Sequence, residues 1–146
     1  MSKGGFYWHF ADREALLQEL LDTWERTLVD EVIERVEAKG GDARARLRYL
    51  FELAFTSRKF SEVELAIREW ARRDKKVARR LRRVDNRRME YMRTLFGALS
   101  PGDEGEVEVR CMLAASLWVA NRFIAADHGE RSRRDVLKLA LQHLEA

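Results

Sequence analysis

The residues best equipped for chemistry stand at residues 2–10, SKGGFYWHF. In a helix, Phe6 and Phe10 stack at i,i+4 on one face while Lys3 and Tyr7 share another, placing an apolar anchor opposite a cation and a phenol. Such a surface can face phosphate. Gly4 and Gly5 each cost about 1 kcal/mol relative to alanine, so this helix would need a body packed against it. Elsewhere the means for catalysis are sparse. His9, His128 and His143 have no histidine or cysteine partner at i+3 or i+4, and no metal site or cofactor is expected. There is no Gly-rich phosphate loop, no H-E-x-x-H, and no serine or cysteine nucleophile with a convincing base. A small helical enzyme is therefore the least favoured class. The single cysteine, Cys111, allows no internal disulfide and reads as core.

Helices must position these residues. The 146 residues are 46% hydrophobic and 36% charged with one proline, a balance that suits an all-α globular domain. No run of apolar residues spans a bilayer and no signal peptide is recognisable, so the expectation is a cytoplasmic protein without a membrane partner. Asp12 caps a helix of about seven turns carrying Leu16, Leu17, Leu20, Trp24, Leu28, Val32 and Val36, stopped by Gly40 and Gly41. Its first turn, with Arg13, could hold a phosphate. Asp42 caps a second helix through Leu47, Leu50, Phe51, Ala54 and Phe55. A break at residues 57–59 precedes a short helix with Ser61 and Glu64 as its capping box, bearing Val63, Ala66, Ile67, Trp70 and Ala71.

Asp74 caps the next helix, whose stripe runs Val77, Leu81, Val84, Tyr91, Met92, Leu95, Phe96 and Leu99. Residues 72–93 hold eleven Lys/Arg against three acids, an excess of eight in a chain whose net charge is +3. This is either a nucleic-acid or acidic-partner surface or a solvated face bridged to the acidic helix that begins at Asp12, and the second is favoured. Arg88 falls on the apolar stripe, paired with a carboxylate such as Glu69 or aimed into a cavity. Ser100, with Pro101 at the first helical position, starts a helix that turns apolar on nearly all sides from Val107 through Ile124 and ends at Gly129. Ser132 and Asp135 cap a final helix. A second subunit would cover the surplus apolar surface, with Leu117, Phe123, Ile124, Val136, Leu137, Ala140, Leu141 and Leu144 forming a two-fold four-helix interface. The alternative is that the last helix only closes its own core.

SKGGFYWHF followed by ADREALLQELL resembles the end of the DNA-binding domain of the TetR family of transcriptional regulators, where a recognition helix S-K-G-x-x-Y-x-H-F runs into a long helix opening D/K-x-E-x-L-L. Residues 63–96 resemble the middle of many proteins of that family. The resemblance implies a TetR-like bundle with a recognition-helix remnant over residues 1–11 and a ligand-binding and dimerisation domain over residues 12–146. It implies DNA contacts from Ser2, Lys3, Gly4, Gly5, Tyr7, Trp8, His9 and Arg13. The two helices that precede the recognition helix in the family are missing from this sequence. Met1 stands where the family has a valine, so the expectation is an internal GTG start in a longer gene, and weak or no operator binding by the chain as written.

The resemblance implies a homodimeric regulator, more often a repressor, released from operator DNA by a small hydrophobic or amphipathic effector. The residues expected to line the effector cavity are Phe51, Phe55, Trp70, Met89, Met92, Phe96, Met112, Ser116, Trp118 and Asn121, since methionine and aromatic surfaces suit loosely specified apolar ligands. Asn121 stands out as an amide in an apolar helix that needs a polar partner. The alternative is a ligand-sensing dimerisation module that does not bind DNA and acts through protein partners.

Overall fold

A computed structural model describes residues 12–146, apart from the side chains of residues 58–61. Among the described residues the chain forms six helical rods and no strand. The first rod is continuous but not uniform: α1 (Arg13–Glu25) passes through a π-helical stretch (Arg26–Asp30) into α2 (Glu31–Lys39). Asp12 caps it by accepting a hydrogen bond from the Ala15 amide at 2.7 Å. The π stretch takes in one extra residue and so rotates α2 relative to α1. Buried positions therefore run Leu17, Leu21, Trp24, then step by five to Val29 and on to Val36. The uniform stripe expected from the sequence is corrected accordingly, and Leu20 is left exposed.

Gly40 and Gly41, at φ 71° and 95°, reverse the chain within three residues. Both lie in the left-handed region that glycine enters without strain. Asp42 then caps α3 (Ala43–Thr56), its carboxylate accepting from the Ala45 amide at 2.8 Å. Ser57 alone, in extended conformation, separates α3 from α4 (Arg58–Ala71). The helix thus begins earlier than the expected Ser61 cap. Ser61 lies inside it, and Glu64 is drawn into the interior instead of closing a capping box.

α5 (Lys75–Leu99) is the spine, capped by Asp74 through the amides of Lys76 and Val77. Its first half contributes Val77 and Val84 to a core with Leu17, Leu21, Trp24, Val29 and Ile67. Its second half contributes Met92, Leu95 and Phe96 to a separate core with Leu47, Phe51, Val107, Cys111, Ala114 and Leu144. The basic run along α5 is answered by the acidic first rod. Lys76 pairs with Glu14, Arg80 with Asp22 and Glu25, and Arg87 with Glu25 and Asp30, at 2.5–3.0 Å. Burial opposes ionisation of Glu25, but hydrogen bonds and charge from Arg80 and Arg83 hold its carboxyl below the ordinary range.

α6 (Glu104–Ala120) starts later than expected from the sequence. Ser100, Pro101 and Gly102 form a turn, with Gly102 at φ 83°, and Asp103 is the cap, accepting from the Glu106 amide at 2.9 Å. The helix also ends earlier, at Ala120 instead of Gly129. Arg133 reaches back to this end and donates to the carbonyls of Asn121, Ile124 and Ala126. Those bonds stabilise an irregular connection to α7 (Arg133–Glu145), which is capped by Ser132. α7 docks on α3 through Glu145, whose Oε1 accepts from Arg48 Nη2 and Nε at 2.6 and 2.8 Å, whose Oε2 accepts from Nε at 3.1 Å, and whose carbonyl accepts from Arg44.

Cys111 is fully buried, and burial with the nearby Glu108 carboxylate pushes its thiol up to about 11. The thiolate is the reactive form. Alkylation by iodoacetamide in mildly alkaline buffer is therefore expected only after denaturant is added. Modification at the rate of a free thiol in native buffer, followed by mass spectrometry, would contradict this packing.

Candidate functional site

The two cores do not close on each other. Between them lies an open cavity of about 770 Å³, with walls from the π stretch and α2 (Leu28, Val29, Val32, Ile33), α3, α5 and α6. That volume is in the range of small-molecule sites. The lining is overwhelmingly apolar. Phe51, Phe55, Met89, Met92, Met112, Ser116 and Trp118, seven of the ten residues nominated from sequence, are brought together there. The other three are not on its wall. Trp70 packs against the first core, because α4 turns that face toward α1. Phe96 is completely buried in the second core, one layer behind Phe51, with ring centroids 6.3 Å apart. Asn121 caps the end of α6, its side-chain oxygen accepting from Arg133 at 3.2 Å.

One patch of the wall is charged. Glu64, 2% exposed, accepts hydrogen bonds from Trp24 Nε1 at 3.0 Å and from both terminal nitrogens of Arg88 at 2.8 and 3.0 Å. Arg68 lies 3.1 Å from the same carboxylate and donates bidentately to Asp85 at 2.7 and 2.9 Å. The partner of Arg88 is thus Glu64 and not Glu69, which faces outward and pairs with Arg72. α4 places Glu64 and Arg68 one turn apart, and α5 does the same for Asp85 and Arg88, so the four meet where the helices cross. Burial opposes ionisation of Glu64. The hydrogen bonds and charge of Arg88, the charge of Arg68 and the Trp24 N–H outweigh it and hold the carboxyl below its usual value.

Trp118 closes this patch, its indole N–H donating to the Ala54 carbonyl at 3.0 Å. Three guanidiniums surround its ring, with Arg88 at 4.8 Å, Arg122 at 5.0 Å and Arg68 at 6.0 Å from the centroid. Arg122 is a residue that sequence reasoning misses, since no local signal marks it. Only the end of α6 brings it back over Trp118, where it donates to that residue's carbonyl at 2.5 Å. Elsewhere on the wall, the Tyr91 hydroxyl donates to Glu37 at 2.6 Å. Burial and that carboxylate raise the phenol's pKa, so it stays protonated.

No protein-family model and no curated protein matches the chain.

The cavity opens toward the outer surface of α6. Met112, Phe123 and Ile124 all line it, and all are more than half exposed. On the same helix Val109 and Leu113 are also exposed, at the spacing of one helical face. Of the residues expected at a dimer interface, Phe123 and Ile124 are exposed, while Val136, Leu137 and Ala140 are partly buried. Leu144 belongs to the chain's own core, with Leu117 and Leu141 packed against that core. The Arg48–Glu145 link draws the end of α7 inward and accounts for this.

Arg13 is exposed in the first turn of α1. Ser2, Lys3, Gly4, Gly5, Tyr7, Trp8 and His9 lie outside the described residues. No group of metal-ligating side chains is found among the described residues, and none of their helices is long and apolar enough to cross a membrane.

Proposed function

We propose that this chain is the ligand-binding and dimerisation part of a TetR-type transcriptional regulator, whose operator binding is gated by a small, largely hydrophobic effector. The cavity between the two cores carries the reading. It is walled on one side by the rod that begins directly after the recognition-like residues 2–10. An effector wedged against Leu28, Val32 and Ile33 would press on the π-helical stretch, where the rod departs from regular geometry. Its N-terminal half would then be displaced relative to the α5 spine. In a dimer that displacement changes the separation of two DNA-reading segments, and differential affinity of the effector for the two states sets the response.

The apolar face of α6 supports a two-fold partner. Val109, Met112 and Leu113 repeat at three and four residues, and monomeric proteins seldom expose contiguous apolar surface of this kind. Light scattering is expected to give twice the 17.2 kDa chain mass. Leu113→Arg should return the monomer with helicity intact, because Leu113 is half exposed and the charge would enter the seam. A wild-type monomer at all concentrations would remove the dimer.

Regulation is tested by selecting bound duplexes from a random DNA pool, with and without apolar compounds. Because weak or no operator binding is expected of the chain as written, the result that supports the reading is an inverted-repeat site, enriched even weakly, that a compound releases. Compounds that raise the melting temperature while no DNA sequence is enriched would leave a ligand-sensing module and overturn the regulator.

A further inference from the structure

The basic run over residues 72–93 divides into two sets. Of its eleven Lys/Arg, seven reach a carboxylate, from Arg72 with Glu69 to Arg93 with Glu108. The other four, Arg73, Lys75, Arg79 and Arg82, are exposed and make no ion pair among the described residues. Residues 1–11 and 58–61 contain no carboxylate that could supply one. The single acid within residues 72–83, Asp74, is engaged in capping α5. Lys75, Arg79 and Arg82 stand at i, i+4 and i+7, on the face of α5 turned away from the buried Val77 and Val84. They span about 10 Å of helix. Like charges one turn apart weaken a helix, a cost that a polyanion laid along the stripe relieves. α1 and α5 run parallel, since Glu14 meets Lys76 near their starts and Asp30 meets Arg87 further along. Exposed Arg13 therefore lies at the same end of the molecule as the stripe.

We infer that Arg73, Lys75, Arg79 and Arg82 form a docking surface for the phosphate backbone of double-stranded DNA, engaged without regard to sequence. The make-up of the face separates it from other polyanion sites. A folded protein partner needs an apolar or aromatic anchor at the centre of its contact, and a lipid surface needs apolar side chains to enter it. Every exposed residue from 73 to 83 is a lysine or arginine. Single strands are held by stacking on aromatic side chains, and residues 71–88 contain none. Duplex RNA is held partly through its 2′-hydroxyls, for which this face offers no neutral polar group. Duplex DNA phosphates need only a line of cations, and released counterions supply the free energy. The arginine forks add paired bonds to phosphate oxygens. The inference goes beyond the operator reading, since the surface works without a recognition helix and without an effector.

Fluorescence anisotropy of the full chain with a labelled random-sequence DNA duplex of about 30 bp, read between about 50 and 200 mM salt, tests the surface. Wild-type affinity is expected to fall linearly with salt on logarithmic axes. The triple variant Lys75→Gln, Arg79→Gln, Arg82→Gln should bind about tenfold or more weakly at the lower salt. Its slope should be shallower by about 2.7 per bound chain, three contacts at about 0.9 each. Glutamine keeps helix propensity and no ion pair is parted, so the melting temperature should not fall. A second triple, Arg131→Gln, Arg134→Gln, Lys138→Gln, removes the same charge from exposed positions near the start of α7 and should bind as the wild type does. Equal weakening in both triples would reduce binding to net charge and overturn the stripe. So would unchanged binding by the first triple, no binding by the wild-type chain, or a preference for duplex RNA or phosphatidylserine vesicles over the DNA. Because the duplex has no chosen sequence, failure here leaves the operator reading standing, and failure to select an operator leaves the stripe standing.

Discussion

Glu64→Gln is expected to lower the free energy of unfolding by about 3–5 kcal/mol, the usual cost of stripping one partner from a buried ion pair. The glutamine is nearly isosteric, so packing is kept, while the charge and one of the two accepting oxygens are lost. Arg88 would then have only the 3.5 Å approach to Asp85 among its carboxylate contacts, and that acid is already gripped by Arg68. Trp24 would keep an oxygen acceptor, but a weaker one. The unfolding midpoint in urea measures the loss. A change below about 0.5 kcal/mol, the range of ordinary surface substitutions, would mean that Glu64 is not the hub of this cluster. Leu in its place would separate two effects, since both charge and hydrogen bonding would then be absent.

The same residue sets part of the acid response. Glu64 and Glu25 both titrate below the ordinary carboxylate value of 4.5 in the folded chain. Their contribution is complete above the unfolded value and is lost as pH falls through the folded values, because protonation is then easier in the unfolded state. Stability should therefore decline as pH falls from about 5 to about 3, and the decline should be shallower in Glu64→Gln. Equal slopes would assign the acid response to other carboxylates.

Sequence periodicity marks the caps at Asp12, Asp42, Asp74 and Ser132, because an acidic or hydroxyl side chain before a helical pattern acts on amides two or three residues away. It also identifies the ion pairing of the α5 arginines with the first rod, since an acidic helix is the natural partner for so basic a face. The features it misses depend on distant chain segments. The π stretch cannot be read from a 3.6-residue period, for it is the step from Trp24 to Val29 that breaks the period. Glu64 fits the third position of a capping box locally, and only the approach of Trp24 and Arg88, forty and twenty-four residues away, gives it an interior role. Arg122 acquires its place through the early end of α6. The cavity and the core draw on the same side chains, which is why residue type alone groups Phe96 and Trp70 with true wall residues.

Phe96→Ala should produce a second large loss, about 3–5 kcal/mol, the range for truncating a buried aromatic. Phe96 is wholly inaccessible and sits among Leu47, Leu95, Val107 and Cys111, which α3, α5 and α6 hold apart. The space left behind cannot collapse without moving the spine. Met112→Ala, at a position 61% exposed on the cavity rim, is expected to change stability by less than about 0.5 kcal/mol in dilute solution. Urea titrations of the two variants at a common low protein concentration make the comparison. Similar losses in both would mean that the boundary between core and cavity is misplaced. A Met112 cost that grows with protein concentration would instead point to the outer face of α6 as an intersubunit seam, because only an associated state makes stability depend on concentration.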